Sequence, residues 1–209
     1  MNDINELKQE IQKRIKGEVS DDNDVLEFHS RDTSIFKRRP QLVVFPYSQE
    51  DIEELVKIVN ENKAQIANLS ITPRSGGTCM SGGTITDSIA LDMKYLNKLK
   101  KFSKEDMYAI VEPGLYYRDF EKVADENNVV YPSYPASKNI CAWGGIVNNN
   151  SGGEKSLNYG KTQDHVEEVN MILSDGSLYN FKKLTKTELD EKMKGDGFEA
   201  DIYRKTYLL

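Results

Sequence analysis

Cysteine, histidine and tryptophan are scarce in this 209-residue chain, with two, two and one of each. Cys79 and Cys141 cannot form a disulfide framework, so a reduced, cytoplasmic setting is expected. His29 and His165 have no partners at metal-ligand spacing, and no metal is expected. No apolar run approaches the roughly 20 residues of a transmembrane helix. The first residues, Met1 to Lys16, are polar and amphipathic and lack the apolar centre of a signal peptide. Peripheral attachment at the inner membrane face is left open. Basic residues are outnumbered, 28 against 34, for a net charge of −6 with both signs interspersed. That argues against a nucleic-acid binder, which would show a basic stripe. Neither a P-loop nor a Gly-x-Gly-x-x-Gly fingerprint is present. With 38% hydrophobic and 30% charged residues, the composition suits a globular protein of one or two domains.

Glycine, by contrast, is concentrated. Pro73-Arg74-Ser75-Gly76-Gly77-Thr78-Cys79-Met80-Ser81-Gly82-Gly83-Thr84 interleaves two Gly-Gly pairs with hydroxyl side chains. Glycine lets a ligand approach the backbone closely, and successive N–H groups in such a loop can form an anion nest. The bland alternative is a mobile surface loop. A second cluster, Ala142 to Gly153, holds Gly144-Gly145, an Asn148-Asn149-Asn150 run and Gly152-Gly153. Its bland alternative is a helix contact that needs small residues. Two such clusters suit a large bipartite ligand such as a dinucleotide.

The surrounding pattern is α/β. Ile4, Leu7, Ile11 and Ile15 share a helical face, and Gly17 to Asp24 reads as a polar break. Leu42 to Phe45 reads as a buried strand; Ser48 is an N-cap candidate for a helix with Ile52, Leu55, Val56 and Val59 on one face. A strand around Ile66 to Ile71 leads into the first glycine loop, and Ser88 to Met93 is a further strand. Strand-end loops are where α/β folds place ligands. Tyr108 to Val111 reads as a strand, Tyr116 to Ala124 as a helix, and Val166 to Phe181 as a hairpin turning at Asp175-Gly176. The tail from Lys182 reads as exposed helix or loop. Arg31 to Ser34 and Lys37 to Arg39 read either as phosphate contacts or, preferably, as a solvated charged turn. Trp143, Tyr131 and Tyr134 read either as walls of a binding site or as packing.

In order along the chain, these residues resemble the FAD-binding domain of the vanillyl-alcohol-oxidase-type (PCMH-type) flavoproteins. Arg74 to Thr78 with Ser81 to Gly83 looks like that family's pyrophosphate loop. Pro46 with Ser48 to Val59 is similar to its "P-x-S-x-E-D/E-hydrophobic" helix, and Val111 to Gly114 to its "V-x-P-G" element. Pro135 to Ser137, Gly144 to Asn149 and Ser151 to Gly153 look like its second flavin-contacting segment. Tyr159-Gly160, Asp164 to Val166 and Leu173 to Gly176 complete a match over roughly residues 30 to 181. The nearest branch is the FAD-linked 2-hydroxyacid dehydrogenases, including D-lactate dehydrogenases and glycolate oxidase subunits.

The resemblance implies an α+β fold with two α/β subdomains. One is a small parallel βαβ sheet and the other a mixed or antiparallel sheet with flanking helices, with FAD in the groove between them. The expected division is an N-terminal helical segment at 1–37, subdomain 1 at 38–100, subdomain 2 at 101–185 and a tail at 186–209. Main-chain groups of Pro73, Arg74, Ser75, Gly76, Gly77, Thr78 and Cys79, continued by Ser81 and Gly82, are implied to hold the pyrophosphate. Pro135, Ala136, Ala142, Gly144, Gly145, Asn148, Asn149 and Gly152 are implied to approach the flavin, and Val169 the adenine end. Thr78 and Cys79 stand where some members carry a histidine that bonds to flavin, and Cys141 is displaced by one position from a cysteine that does so in others, so non-covalent FAD is expected.

The implied activity is oxidation of a D-lactate- or glycolate-like 2-hydroxy acid to a 2-oxo acid by hydride transfer to flavin N5. The alternative is a non-catalytic or truncated FAD-binding module, or an electron-transfer subunit that needs a partner chain. The family's flavin domain continues into a further strand pair and a cap domain that supplies the catalytic base. Neither precedes Leu209. The chain is therefore expected to be a truncated product, an isolated domain or one piece of a split enzyme, inactive alone, and no catalytic residue is assigned.

Overall fold

The structure, a computed structural model, describes residues 4–209. It opens with helix α1 (Ile4–Arg14), whose Leu7 and Ile11 are fully buried against the next long helix of the chain. Residues 1–3 of the segment read as an N-terminal helix lie outside the described residues. The expected polar break at Gly17 to Asp24 instead contains β1 (Glu18–Ser20) and the cap of α2 (Asn23–His29). Asp22 accepts the main-chain N–H groups of Asp24 and Val25, which starts that helix. Both elements are too short to show a period in sequence.

Next come β2 (Leu42–Phe45) and α3 (Gln49–Asn62), the latter capped by Ser48, whose hydroxyl accepts from Asp51 N. After α3 the chain unwinds through turns: Gln65 N and Ile66 N both bond to Asn62 O, and Asn68 adopts φ 60°. The strand expected at Ile66 to Ile71 is delayed for this reason and forms as β3 (Ile71–Arg74). Pro73 therefore sits in a strand, which is tolerated because β3 is the edge of its sheet. β4 (Ile89–Asp92) lies inside. The sheet order is β1-β2-β4-β3, with β2 and β3 both parallel to β4 and β1 antiparallel to β2. Leu42, Val44, Ile89 and Leu91 join Leu55, Ile58 and Val59 of α3 and Leu7 and Ile11 of α1 in one core.

The second half has its own core. β5 (Leu99–Ser103) pairs antiparallel with β6 (Tyr108–Val111), followed by α4 (Tyr117–Glu126), α5 (Trp143–Asn148) and α6 (Ser156–Tyr159). Leu115, Tyr117, Phe120, Ala124, Cys141, Trp143 and Ile146 form the apolar centre. β7 (Glu168–Ile172) and β8 (Leu178–Lys182) make the expected hairpin. Where one mixed or antiparallel sheet is expected, the strands form two separate two-stranded ribbons. The hairpin turn docks on α3: Asn60 Nδ2 donates to Ser174 O at 2.6 Å, and Gly176, at φ +79°, is buried against Lys57 and Glu53. Only a residue tolerating positive φ fits that turn. The tail forms α7 (Lys186–Lys194), opened by a Thr185–Glu188 capping box, and α8 (Phe198–Tyr207), which lays Tyr203 against Phe181 of β8.

Candidate functional site

The first glycine loop leaves the C-terminal end of β3, the position α/β folds use for ligands. Gly77 takes φ +65°, a left-handed conformation that any Cβ would strain. Among the described residues, none accepts a hydrogen bond from the main-chain N–H of Gly76, Gly77, Thr78 or Cys79. Gly77 is buried and the other three are partly covered. Four neighbouring donors without internal partners make a ready anion cradle.

The second glycine segment meets this loop directly. A Cβ on Gly76 would stand 2.7 Å from Ile140 O and 3.1 Å from Ala142 N. A Cβ on Gly144 would stand 2.5 Å from Ser75 Oγ and 2.9 Å from Pro113 Cβ. The turn after β6 completes the junction: Gly144 N donates to Pro113 O, Trp143 N to Leu115 O, and Tyr116 bridges Ala142. Gly145, one position on, faces open space, with nothing within 4 Å of an added Cβ. Pro135 opens the turn that delivers Ile140 and Cys141, and it abuts Gly153, whose Cβ would meet Tyr134 and Pro135. Gly152 packs on Ser156. Ala136, Asn148 and Asn149 are exposed. Val169 is half-buried on β7 opposite Phe181.

For several residues the structure decides between readings that the sequence leaves open. Trp143, Tyr131 and Tyr134 pack around Tyr117, with Trp143 4.9 Å from both Phe120 and Tyr131, so they form core. Trp143 Nε1 is the one buried side-chain polar atom without a partner among the described residues. Cys141 is buried in the same cluster, and burial pushes its thiol pKa up, which disfavours the reactive thiolate. Cys79 is partly exposed. Its Sγ lies 3.2 Å from Ser81 Oγ and accepts from Gly83 N, and the hydrogen bond with Ser81 pulls the thiol below its ordinary value. The charged turn at Arg31 to Ser34 is not simply solvated. Thr33 Oγ1 donates to Cys79 O at 3.0 Å, Thr84 Oγ1 donates to Asp32, and Arg31 O accepts from Arg74. This turn braces the loop from outside.

The structure also shows a pairing that the sequence does not suggest. His29, 3% exposed, places Nε2 2.8 Å from Asp92 Oδ2 and Nδ1 2.8 Å from Val25 O. Asp92 ends β4 beside Arg74 in the strand register. No spacing rule links positions 29 and 92; only the sheet brings them together. His165 is exposed, bonded to Tyr159 O, and Asp164 caps its own turn by accepting from Lys161 N. Among the described residues no group of three or more His, Cys, Asp or Glu side chains could hold a metal, and no helix is long and apolar enough to cross a membrane.

A parallel sheet whose strand-end glycine loop abuts a second glycine segment defines a domain that binds a nucleotide-type cofactor. The chain belongs to the FAD binding domain family, whose model matches residues 40–182. It is 26% identical over 190 residues to the D-2-hydroxyglutarate dehydrogenase of Pseudomonas putida, covering 90% of this chain and 19% of that protein. It is 30% identical over 148 residues to the glycolate oxidase subunit GlcD of Bacillus subtilis, covering 70% of this chain and 30% of that subunit. The chain therefore spans less than a third of the length of these two relatives. Among solved structures, an alkyldihydroxyacetonephosphate synthase superimposes with TM-score 0.75 at 21% identity, covering 96% of this chain and 37% of that one. The 6-hydroxy-D-nicotine oxidase of Arthrobacter nicotinovorans gives TM-score 0.71 at 22% identity, over 84% and 38%. At these identities the two structures speak for the fold alone.

Proposed function

We propose that this chain is the FAD-holding part of a flavin-dependent oxidoreductase acting on a small 2-hydroxy acid, with FAD bound non-covalently. The observation that carries the reading is the row of unpartnered main-chain N–H groups from Gly76 to Cys79, set against the second glycine segment at Ile140 to Gly144. Donors of this kind suit the two phosphates of FAD, because they are fixed in place and lose no side-chain freedom on binding. Gly145 and the exposed Asn148 and Asn149 offer a flat approach and amide groups to a flavin ring and ribityl chain. Thr78 and the buried Cys141 are not suited to a flavin bond, and Cys79, the partly exposed thiol of the first loop, is engaged by Ser81 and Gly83. When bound, the flavin would supply a hydride acceptor for the substrate α-carbon. The chain's own part is to hold, orient and shield the cofactor; no base for the substrate hydroxyl is assigned. The proposed division is a parallel-sheet subdomain at 38–100 and a second at 101–185, with 1–37 and 186–209 flanking them. A cytoplasmic site of action belongs to the same proposal.

The relatedness to D-2-hydroxyglutarate dehydrogenase and a glycolate oxidase subunit supports the 2-hydroxy-acid class. Titration of the purified chain with FAD tests the cofactor reading: quenching of flavin fluorescence and retention of yellow colour through gel filtration are expected. Colourless protein with no affinity overturns it. Gly145→Asp should abolish binding without unfolding the chain, since nothing lies within 4 Å of an added Cβ. A second reading, an electron-transfer subunit, predicts reduction of bound flavin by a redox partner and not by 2-hydroxy acids.

A further inference from the structure

Arg74 closes β3 directly beneath the glycine loop and is 7% exposed. Its Nη1 donates to Arg31 O at 2.7 Å, and its guanidinium carbon lies 5.6 Å from the centre of the Phe28 ring. Among the described residues it makes no ion pair. Both carboxylates near it are engaged elsewhere. Asp92, opposite it on β4, places Oδ2 against His29 Nε2 and accepts Lys94 N on Oδ1. Asp32 accepts Ser34 N and Thr84 Oγ1. These carboxylates act on Arg74 only through space, and Tyr116 is the other titratable group facing it. Burial outweighs their influence and draws the Arg74 pKa below its ordinary value. The guanidinium lies against Gly77, where an added Cβ would collide with Nη2.

A cation taken out of water is costly where no carboxylate pairs with it directly, and the charges of Asp92 and Asp32 offset that cost only in part for Arg74. Here the cation lies under the loop whose N–H groups have no internal acceptors. We infer that Arg74 is a positioning residue whose buried charge is completed by the diphosphate of the bound cofactor, acting through the Gly77 turn. The inference rests on the FAD reading above and deepens it. Arg74 would favour FAD over flavins that lack a diphosphate, and the apo chain would carry the partly compensated charge as a standing cost. A simple strut, holding the Arg31 to Ser34 turn in place, would behave in the opposite way, because removing it would weaken the apo fold.

The test compares wild type, Arg74→Met and Arg74→Lys in the full chain. Four quantities are read: apo Tm, Kd for FAD, Kd for riboflavin, and the Tm shift given by inorganic pyrophosphate. Methionine fills similar apolar volume without charge, and because burial outweighs the pull of the nearby carboxylates, removing the charge removes a net cost. The expected result for Arg74→Met is an apo Tm equal to or above wild type with a 10- to 100-fold loss of FAD affinity. Riboflavin affinity should be unchanged and the pyrophosphate shift lost, while Arg74→Lys retains most of both anion responses. An apo Tm that falls, a FAD Kd within twofold of wild type, or equal weakening of FAD and riboflavin would overturn the inference. Wild-type protein that binds neither flavin would refute the cofactor reading itself. A pyrophosphate shift that still depends on Arg74 would then keep the anion site standing, and no shift would end both.

Discussion

Ser75 and Gly144 come from opposite halves of the chain and meet so closely that a Cβ on Gly144 would stand 2.5 Å from Ser75 Oγ. The same Cβ would press on Pro113 at 2.9 Å and 3.0 Å, on ring and carbonyl atoms that cannot rotate away. Gly144→Ala should therefore cost about 1–3 kcal/mol of stability through overpacking, read by urea unfolding, and lower FAD affinity by prying the two segments apart.

Gly145 is the contrasting neighbour. It lies inside α5 with open space where a side chain would be. Gly145→Ala is expected to raise apo stability by up to about 1 kcal/mol, because alanine favours helix over glycine. The same methyl group would stand where the cofactor approaches and weaken FAD binding. Higher stability with unchanged FAD affinity would remove Gly145 from the site.

The two cysteines should differ sharply in chemistry. Ser81 and Gly83 favour the Cys79 thiolate, while Cys141 is buried with its thiol pushed up. Brief treatment with iodoacetamide at neutral pH, followed by peptide mass spectrometry, should label Cys79 and spare Cys141. The pH–rate midpoint at Cys79 is expected below the ordinary thiol value of about 8.5. FAD should slow the labelling of Cys79. Labelling of Cys141 first would contradict the packing described.

Asp32 ties the outer turn to the loop. Burial pushes its carboxyl upward, but the hydrogen bonds from Ser34 and Thr84 outweigh burial and hold its pKa below the usual range. A carboxylate lowered in the folded state adds stability that is present above its unfolded pKa of about 4 and lost as pH falls through the folded value. Asp32→Ala should cost about 1 kcal/mol at neutral pH. The difference from wild type should close as pH drops below about 4. A gap that stays constant down to pH 2 (about two units below that value) would show that charge is not what Asp32 contributes.

His29 and Asp92 are a buried pair joining α2 to the end of β4. His29→Phe preserves volume but leaves the Asp92 carboxylate with only the Lys94 N–H. Leaving a buried carboxylate short of a hydrogen bond typically costs about 1–3 kcal/mol, and the expected result is a fall in Tm with displacement of the loop beneath which Asp92 and Arg74 sit. Restored stability in His29→Phe paired with Asp92→Leu would identify the loss as an unpaired charge and not as a lost contact.

The amino-acid sequence by itself determined the elements whose signal is local. The Leu42 to Phe45 strand, the Ser48 cap, the apolar faces of α1, α3 and α4 and the Asp175-Gly176 hairpin are all where periodicity and turn chemistry place them. Glycine spacing likewise marks both segments of the candidate site. Short elements escaped this reading: β1 and α2 are three and seven residues long and too brief to show a period. So did the delayed start of β3, which follows from turns after α3 that only the backbone path reveals. Tertiary structure alone decided that Gly144 meets Ser75, that Thr33 and Asp32 brace the loop, and that His29 engages Asp92 while Arg74 makes no direct ion pair among the described residues. Those relationships join residues far apart in the chain through the parallel pairing of β3 with β4 and the packing of the second half against it. No local pattern carries such information, because the energy that selects these contacts comes from burial across the whole fold.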